Sequence, residues 1–348
     1  MGRQLGALSG LAMALIVLNH AIHLGVVVPF SLGYQDLSLR LESFFSVLQA
    51  LGAFAVPTFL FISGSFVAYA ARGEPPNLSG KFLLSSLKHI LIHYLIWSLF
   101  SYLFFYLKDG GDYSFNAILK NLLVGYPYHF IPLLAFYYAI SPVLVRLVKR
   151  WPLVVLGIIL AYQMFLLNTV NPGILGFTFP GWTGYAAVPI LRQTAADWGV
   201  YFPLGMVYGL NSRLFSTWSK KLGWLLGLVM VGFFVLGMLD GFRIIAAPLA
   251  RHISLLAFVL VIPGISRDRL PLVKTLEHIG RRSYGLYLTH RFALEGVLIG
   301  IQLAIPALFE LPLILFPLLF FAGLLIPLWV MELFGRGPTK RIYRYLFG

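Results

Sequence analysis

Runs of about twenty apolar residues recur along this chain, separated by short stretches rich in Lys, Arg, Gly and Pro. A helix needs roughly twenty apolar residues to cross the hydrocarbon of a bilayer. On that basis the runs predict helices over 5–28, 44–70, 86–107, 128–147, 151–170, 197–211, 221–239, 242–265, 283–304 and 311–333. The segment 197–211 is short enough to be buried or tilted. Strands of a transmembrane barrel would alternate apolar and polar residues over ~10 positions, and no such alternation is present. The pattern therefore predicts an all-α membrane protein, a polytopic bundle of about ten transmembrane helices forming one domain over residues 1–348.

Loop charge orients the bundle. Even-numbered connections carry Arg72, Lys81 and Lys88, then Arg146, Lys149 and Arg150, then Arg213, Lys220 and Lys221. Arg267, Arg269, Lys274, Arg281 and Arg282 follow, and the last segment adds Arg336, Lys340, Arg341 and Arg344. Odd-numbered connections are poorer in Lys and Arg and hold Asp36, Glu42, Asp109, Asp112, Asp240 and Glu310. Positive loops stay on the cytoplasmic side, which places both the N and C termini of this inner-membrane-type protein in the cytoplasm.

Composition narrows the function classes. The chain is 59% hydrophobic and 11% charged, against roughly a quarter charged in soluble domains, so it cannot cover a water-facing surface. Its net charge of +14 would suggest nucleic acid in a soluble protein. Here the basic residues sit between apolar runs, where they set topology and meet anionic membrane lipids. With no cysteine, disulfides, thiolate metal sites and a thiol nucleophile are excluded. The first apolar stretch, Leu5 to Val28, is too long for a signal-peptide core and reads as a retained helix. The outer segment 171–196, with Pro172, Pro180, Pro189, Trp182 and Tyr185, reads as a connector in preference to a lid.

Strongly polar side chains inside a bilayer are expensive and mark function unless they only tie helices together. Asn19, His20 and His23 cluster on the first helix, His20 and His23 three apart and so on one face. Arg251 and His252 fall some eight residues into the segment 242–265, about 12 Å below its outer end at 1.5 Å per residue. In the ninth helix Tyr287, His290 and Arg291 share a face, and Glu295 continues it from Arg291 as an i,i+4 pair. That pair is equally an ordinary ion pair or a substrate contact. His89 and His93 have the spacing of two metal ligands but no third, so no metal site is assigned. No phosphate loop, nucleophile elbow or zinc-protease string occurs.

At these residues the chain resembles the acyltransferase-3 family, bacterial integral-membrane O-acyltransferases that decorate cell-surface glycans. LSGLAMALIVLNHA, Leu8 to Ala21, is similar to the family's opening helix, which ends in a functional histidine mapping to His20. VPTFLFISGSFVAYA resembles its Phe-rich segment with a Ser-Gly pair, here Ser63 and Gly64. YHFIPLLAFYYAISPVL and YFPLGMVYG resemble two further segments, and IGRRSYGLYLTHRF the late one, placing Ser283, Tyr287 and His290. One position departs. The family usually carries an arginine eleven residues before the first-helix histidine, and Ser9 stands there. Arg3 is about 9 Å further out and roughly 240° round the helix, a poor substitute. Either Arg251 or Arg291 fills the electrostatic role, or the chemistry has changed or been lost.

The resemblance implies transfer of a short acyl group, most often acetyl, from cytoplasmic acyl-CoA to a hydroxyl of a cell-surface glycan or its lipid-linked precursor. Acyl-CoA is then a donor co-substrate, with no bound cofactor. His20 suits the general base, and Ser63 or a buried guanidinium the stabiliser of the developing oxyanion; His290 is the third candidate catalytic group. Asn19, His23, Arg251, His252, Tyr287, Arg291 and Glu295 are candidates for substrate binding. Lys81, Lys88, Arg281 and Arg282 are candidates for the donor's phosphates, each explained equally by topology. The rival readings are a transporter or exporter of glycan intermediates, since buried Arg and His serve transport too, and a non-enzymatic partner of polysaccharide-assembly proteins.

Overall fold

The computed structural model describes residues 2–71, 73–74, 76–110 and 113–347. Arg72 and Asp112 lie outside the described residues, as do the side chains of Arg213, Lys220 and Arg269. In chain order the main helices are α1 (Gly2–Ile22), α2 (Leu39–Leu51), α3 (Ala55–Ala70), α4 (Gly80–Asp109) and α5 (Phe115–Val124). Next come α6 (Phe130–Arg150), α7 (Pro152–Val170), α8 (Arg192–Trp198), α9 (Tyr201–Leu210) and α10 (Ser212–Gly241). The series ends with α11 (Ala250–Val261), α12 (Val273–Arg281), α13 (Ser283–Ala304), α14 (Pro312–Phe334) and α15 (Lys340–Leu346).

Among the described residues, seven helical stretches are long and apolar enough to cross a membrane: Arg3–Ser31, Leu39–Ala70, Gly80–Asp109, Phe130–Arg150, Pro152–Val170, Lys221–Gly241 and Pro312–Phe334. The protein is an all-α, multi-pass membrane protein. The other three expected segments are also helical, each with a difference. Segment 197–211 is divided at Gly199 and Val200 between α8 and α9, and α9 is buried from Tyr201 to Tyr208. Segment 283–304 is α13, whose apolar residues share the helix with His290, Arg291 and Glu295.

Segment 242–265 requires a correction. Helix does not begin at Phe242 but at Ala250, so Arg251 and His252 stand in the first turn of α11 and not deep along a helix. Arg251 is exposed. The reason is Pro248, which biases Ala247 away from helical backbone and cannot donate a helical hydrogen bond. Residues 242–249 instead form a turn, with Arg243 at φ 58° and the Asp240 carboxylate accepting from the Ala247 N–H at 2.8 Å.

The described residues gather into two compact units, one running to Ala55 and resuming at Ser266, the other spanning Val56–Ile265. In the first, α1 packs on α2, α12, α13 and α14. Gly10 and Gly280 let α1 and α12 touch through their backbones: a side chain at Gly10 would collide with the Leu276 carbonyl, and one at Gly280 with the Gly6 carbonyl. Small residues at a crossing allow this close approach. Beyond Ile22 the helix continues through a π-helical turn, His23–Val27, into Val28–Ser31. Pro29 has no N–H to return to the Gly25 carbonyl. The buried Gln35 amide takes its place, donating to Gly25 O at 3.0 Å and to Phe309 O at 2.8 Å.

In the second unit α3 and α9 approach as closely. Side chains at Gly64 and Gly205 would strike the Phe202 and Phe61 carbonyls. The Ser65 hydroxyl lies between, 2.8 Å from Phe61 O and 3.1 Å from Gly205 O. Tyr137 of α6 stacks on Phe202 at 4.9 Å, and its hydroxyl donates to the Gly199 carbonyl where α8 and α9 separate.

Candidate active site

The first unit brings α1 and α13 together so that the rings of His20 and His290 face each other, centroids 5.2 Å apart and tilted by 43°. His290 is 3% exposed. Its Nδ1 lies 3.1 Å from the Leu286 carbonyl. A carbonyl only accepts, so that contact puts the ring hydrogen on Nδ1 and leaves Nε2 a bare lone pair in the neutral imidazole. Nε2 is buried and has no hydrogen-bond partner among the described residues. The Tyr287 ring lies 6.1 Å from that of His290, one turn earlier on α13. Arg291 Nε is 3.8 Å from Glu295 Oε1, and the Glu295 carboxylate is almost wholly buried.

Asn19 has a packing role beside His20. Its amide donates to the Gln49 carbonyl at 3.2 Å, and its Cβ occupies the space that a side chain at Gly52 would need. The contact ties α1 to the point where α2 gives way to the 3-10 turn Gly52–Phe54. His23 opens the π-helical turn with its side chain exposed. Such turns leave a backbone carbonyl without its usual partner and recur near functional sites.

At the other end of α1, helix α12 presents basic residues. Arg281 is exposed, while the half-buried Arg282 donates to the His278 imidazole, its Nη1 3.0 and 2.6 Å from the two ring nitrogens. Arg267 meets Glu277 at 2.6 Å. That hydrogen bond holds the Glu277 carboxyl below the ordinary carboxylate range, and burial followed by Arg282 and Arg281 holds His278 below the ordinary histidine value. Ser9, one residue from the Gly10 contact, is 7% exposed.

The second unit holds Ser63, Lys81, Lys88, Arg251 and His252. Ser63 is half-buried on α3; Lys81 and Lys88 are exposed in the first turns of α4. His252 Nε2 lies 3.9 Å from Asp197 Oδ1. Away from these residues, His93 is buried and its Nδ1 contacts the His89 carbonyl. Sequence reading passed over Gln35, Asp197, Glu277 and His278. Gln35 and Asp197 sit in loops or at helix ends, where polarity is unremarkable. Glu277 and His278 sit on an amphipathic helix too short to register as a span.

The fold and its interior define a class: a multi-pass helical membrane protein with histidines, an arginine and a carboxylate enclosed among its helices. The family model described as an acyltransferase domain, acyltransferase-3, matches residues 4–332, and the chain belongs to that family. The protein is thus a membrane acyltransferase, an enzyme that moves an acyl group from a donor to an acceptor. The family resemblance read from the motif residues is borne out. No curated protein and no solved structure matches the chain.

Proposed function

We propose that the protein transfers a short acyl group, with acetyl the simplest case, from cytoplasmic acyl-CoA to a hydroxyl of a cell-surface glycan or its lipid-linked precursor. It acts as one acyltransferase domain in a bacterial plasma membrane, with both chain ends cytoplasmic. The observation that carries this reading is the His20–His290 pair, whose rings face each other at 5.2 Å, with Nε2 of His290 buried and without a hydrogen-bond partner among the described residues.

A sugar hydroxyl is a poor nucleophile at neutral pH and needs its proton removed as it attacks. One histidine of the pair takes that proton. The oxygen adds to the thioester carbonyl, and negative charge builds on the carbonyl oxygen. Arg291, which adjoins His290 on α13, is the group proposed to stabilise that charge. Collapse breaks the C–S bond, the thiolate of CoA leaves, and the proton held by the histidine passes to it, so the enzyme returns to its starting state. Of the two cations considered in place of the family arginine, Arg291 is favoured because it adjoins His290, whereas Arg251 is exposed at the start of α11. Arg281 and Arg282, in the same unit as the histidine pair, are the proposed contacts of the donor's phosphates.

The test is release of free CoA from acetyl-CoA by the purified protein in liposomes supplied with glycan lipids. General acid–base groups typically contribute about 10²–10⁴-fold, so His20→Ala and His290→Ala are each expected to lose activity on that scale. Turnover at the wild-type rate in both variants would remove the pair from the chemistry. Absence of acyl-CoA turnover by the wild type would refute the donor assignment.

A further inference from the structure

A second polar constellation lies in the unit Val56–Ile265, assembled from segments far apart in the chain. Its floor is one apolar cluster in which Leu166 and Leu167 of α7, Ala187 of the long connection and Ala196 of α8 are buried, with Leu249 packed against them. Two of these segments carry polar residues just after their floor residues. Asp197 follows Ala196, and Arg251 and His252 follow Leu249 by two and three residues.

The Asp197 carboxylate is held from one side. Gln193 Nε2 donates to Oδ2 at 3.0 Å, and Gln163 reaches the Asp197 carbonyl at 3.3 Å while accepting from the Val200 N–H at 2.8 Å. Oδ1 is left facing His252 Nε2 across 3.9 Å, with the two side chains 32% and 16% exposed. That separation is too long for a direct hydrogen bond. It is short enough for one hydroxyl oxygen to sit within about 2.8 Å of both groups, accepting from the imidazole N–H and donating to the carboxylate. His252 Nδ1, on the other side of the ring, is buried without a hydrogen-bond partner among the described residues. Arg251, the residue before His252 on α11, is exposed. The 3-10 turn Gly181–Ala186, stapled to α7 by Tyr162 Oη donating to Ala186 O at 3.1 Å, carries Trp182 and Tyr185 at 71% and 93% exposure.

We propose that Asp197 and His252, with Gln193 and Arg251, form a carbohydrate-binding subsite that holds hydroxyls of the glycan acceptor. A carboxylate and an imidazole spaced for a shared hydroxyl recognise alcohols and not acyl chains, and the connection whose Ala187 joins the same floor carries exposed aromatic planes of the kind that suit the apolar faces of sugar rings. The role of the sugar as acceptor rests on the function proposed above; the subsite itself rests on this geometry.

Binding of hexose, N-acetylhexosamine and uronic-acid disaccharides to the full chain in nanodiscs, followed by saturation-transfer NMR, tests the subsite, with acetyl-CoA binding measured in parallel. The wild type is expected to bind at least one of these sugars. Asp197→Asn, which keeps the side chain's size, and His252→Ala are each expected to weaken that binding at least tenfold and to leave acetyl-CoA binding unchanged. No binding of any probe by the wild type, or wild-type binding by Asp197→Asn, overturns the subsite. Sugar binding that depends on Asp197 in a protein that never turns over acyl-CoA would keep the subsite and refute the donor assignment instead.

Discussion

Alanine at three glycines of the first unit separates what a motif suggests from what the packing requires. Gly6 and Gly10 form the same four-residue pair on α1, yet their surroundings differ. A Cβ on Gly10 would fall on the Leu276 carbonyl, 2.7 Å from its carbon and 3.0 Å from Leu276 Cα; one on Gly280 would come within 2.8 Å of the Gly6 carbonyl carbon and 3.0 Å of Gly10 N. One on Gly6 meets nothing within 4 Å. The obstacles at Gly10 and Gly280 are backbone atoms, so no side chain can move aside and the helices must separate. Overpacking of this kind costs about 1–3 kcal/mol. Alanine gains roughly 1 kcal/mol over glycine in helix propensity at all three positions, so that gain cancels when the variants are compared. Gly10→Ala and Gly280→Ala are therefore expected to be about 1–3 kcal/mol less stable than Gly6→Ala, which should match or exceed the wild type. The double variant should lose less than the sum, because one separation of α1 from α12 relieves both collisions. Thermal unfolding of the purified proteins in detergent, followed by tryptophan fluorescence, measures the order. If Gly6→Ala falls as far as Gly280→Ala, the backbone contact is not what these glycines serve.

Gln35→Ala leaves the Gly25 and Phe309 carbonyls without their side-chain donor, at about 1–3 kcal/mol for each buried group. Gln35→Glu, similar in size but without the N–H groups, should match it in the same unfolding assay, and a stable Glu variant would show that the amide is dispensable. His278 is held below its ordinary value of 6.5, so the folded state favours the neutral ring. Its contribution is present above pH 6.5 and lost as pH falls from there through the lowered value. His278→Gln should flatten the melting temperature between pH 6.5 and the acid limb, and an unchanged slope would exclude the residue. Glu277, held below its ordinary 4.5 by Arg267, adds stability above pH 4.5 that disappears as pH falls through its folded value; Arg267→Ala should bring that loss to higher pH. Finally, His20→Ala with His290→Ala should cost little more activity than either alone, as for groups that act as a unit; additive losses would mean separate roles.

Much of the fold was legible because a bilayer imposes a length and a polarity on each spanning helix. The stretches at Arg3–Ser31, Gly80–Asp109 and Pro312–Phe334 follow from that constraint alone. It is silent about α5, α12 and α15, which are too short to span. It misled at 242–265, where an apolar run concealed Pro248 and pushed Arg251 and His252 deeper than they lie. The candidate site was legible in part for the same reason. His20 and His290 stood out as costly groups in apolar segments, while Asp197 did not, because a carboxylate at a helix end is ordinary.

By itself the amino-acid sequence determined the class of protein, most of the helices long and apolar enough to cross a membrane, and the family through its motif residues, since each depends on local composition and order. Only the tertiary structure decided which polar residues meet. His20 and His290, 270 positions apart, face each other because backbone contact at Gly6, Gly10 and Gly280 draws α1 against α12, and α13 begins two residues after α12 ends. Asp197 reaches His252 because α8 and the start of α11 share one apolar floor. Periodicity records which side of a helix is buried, and packing alone records against what.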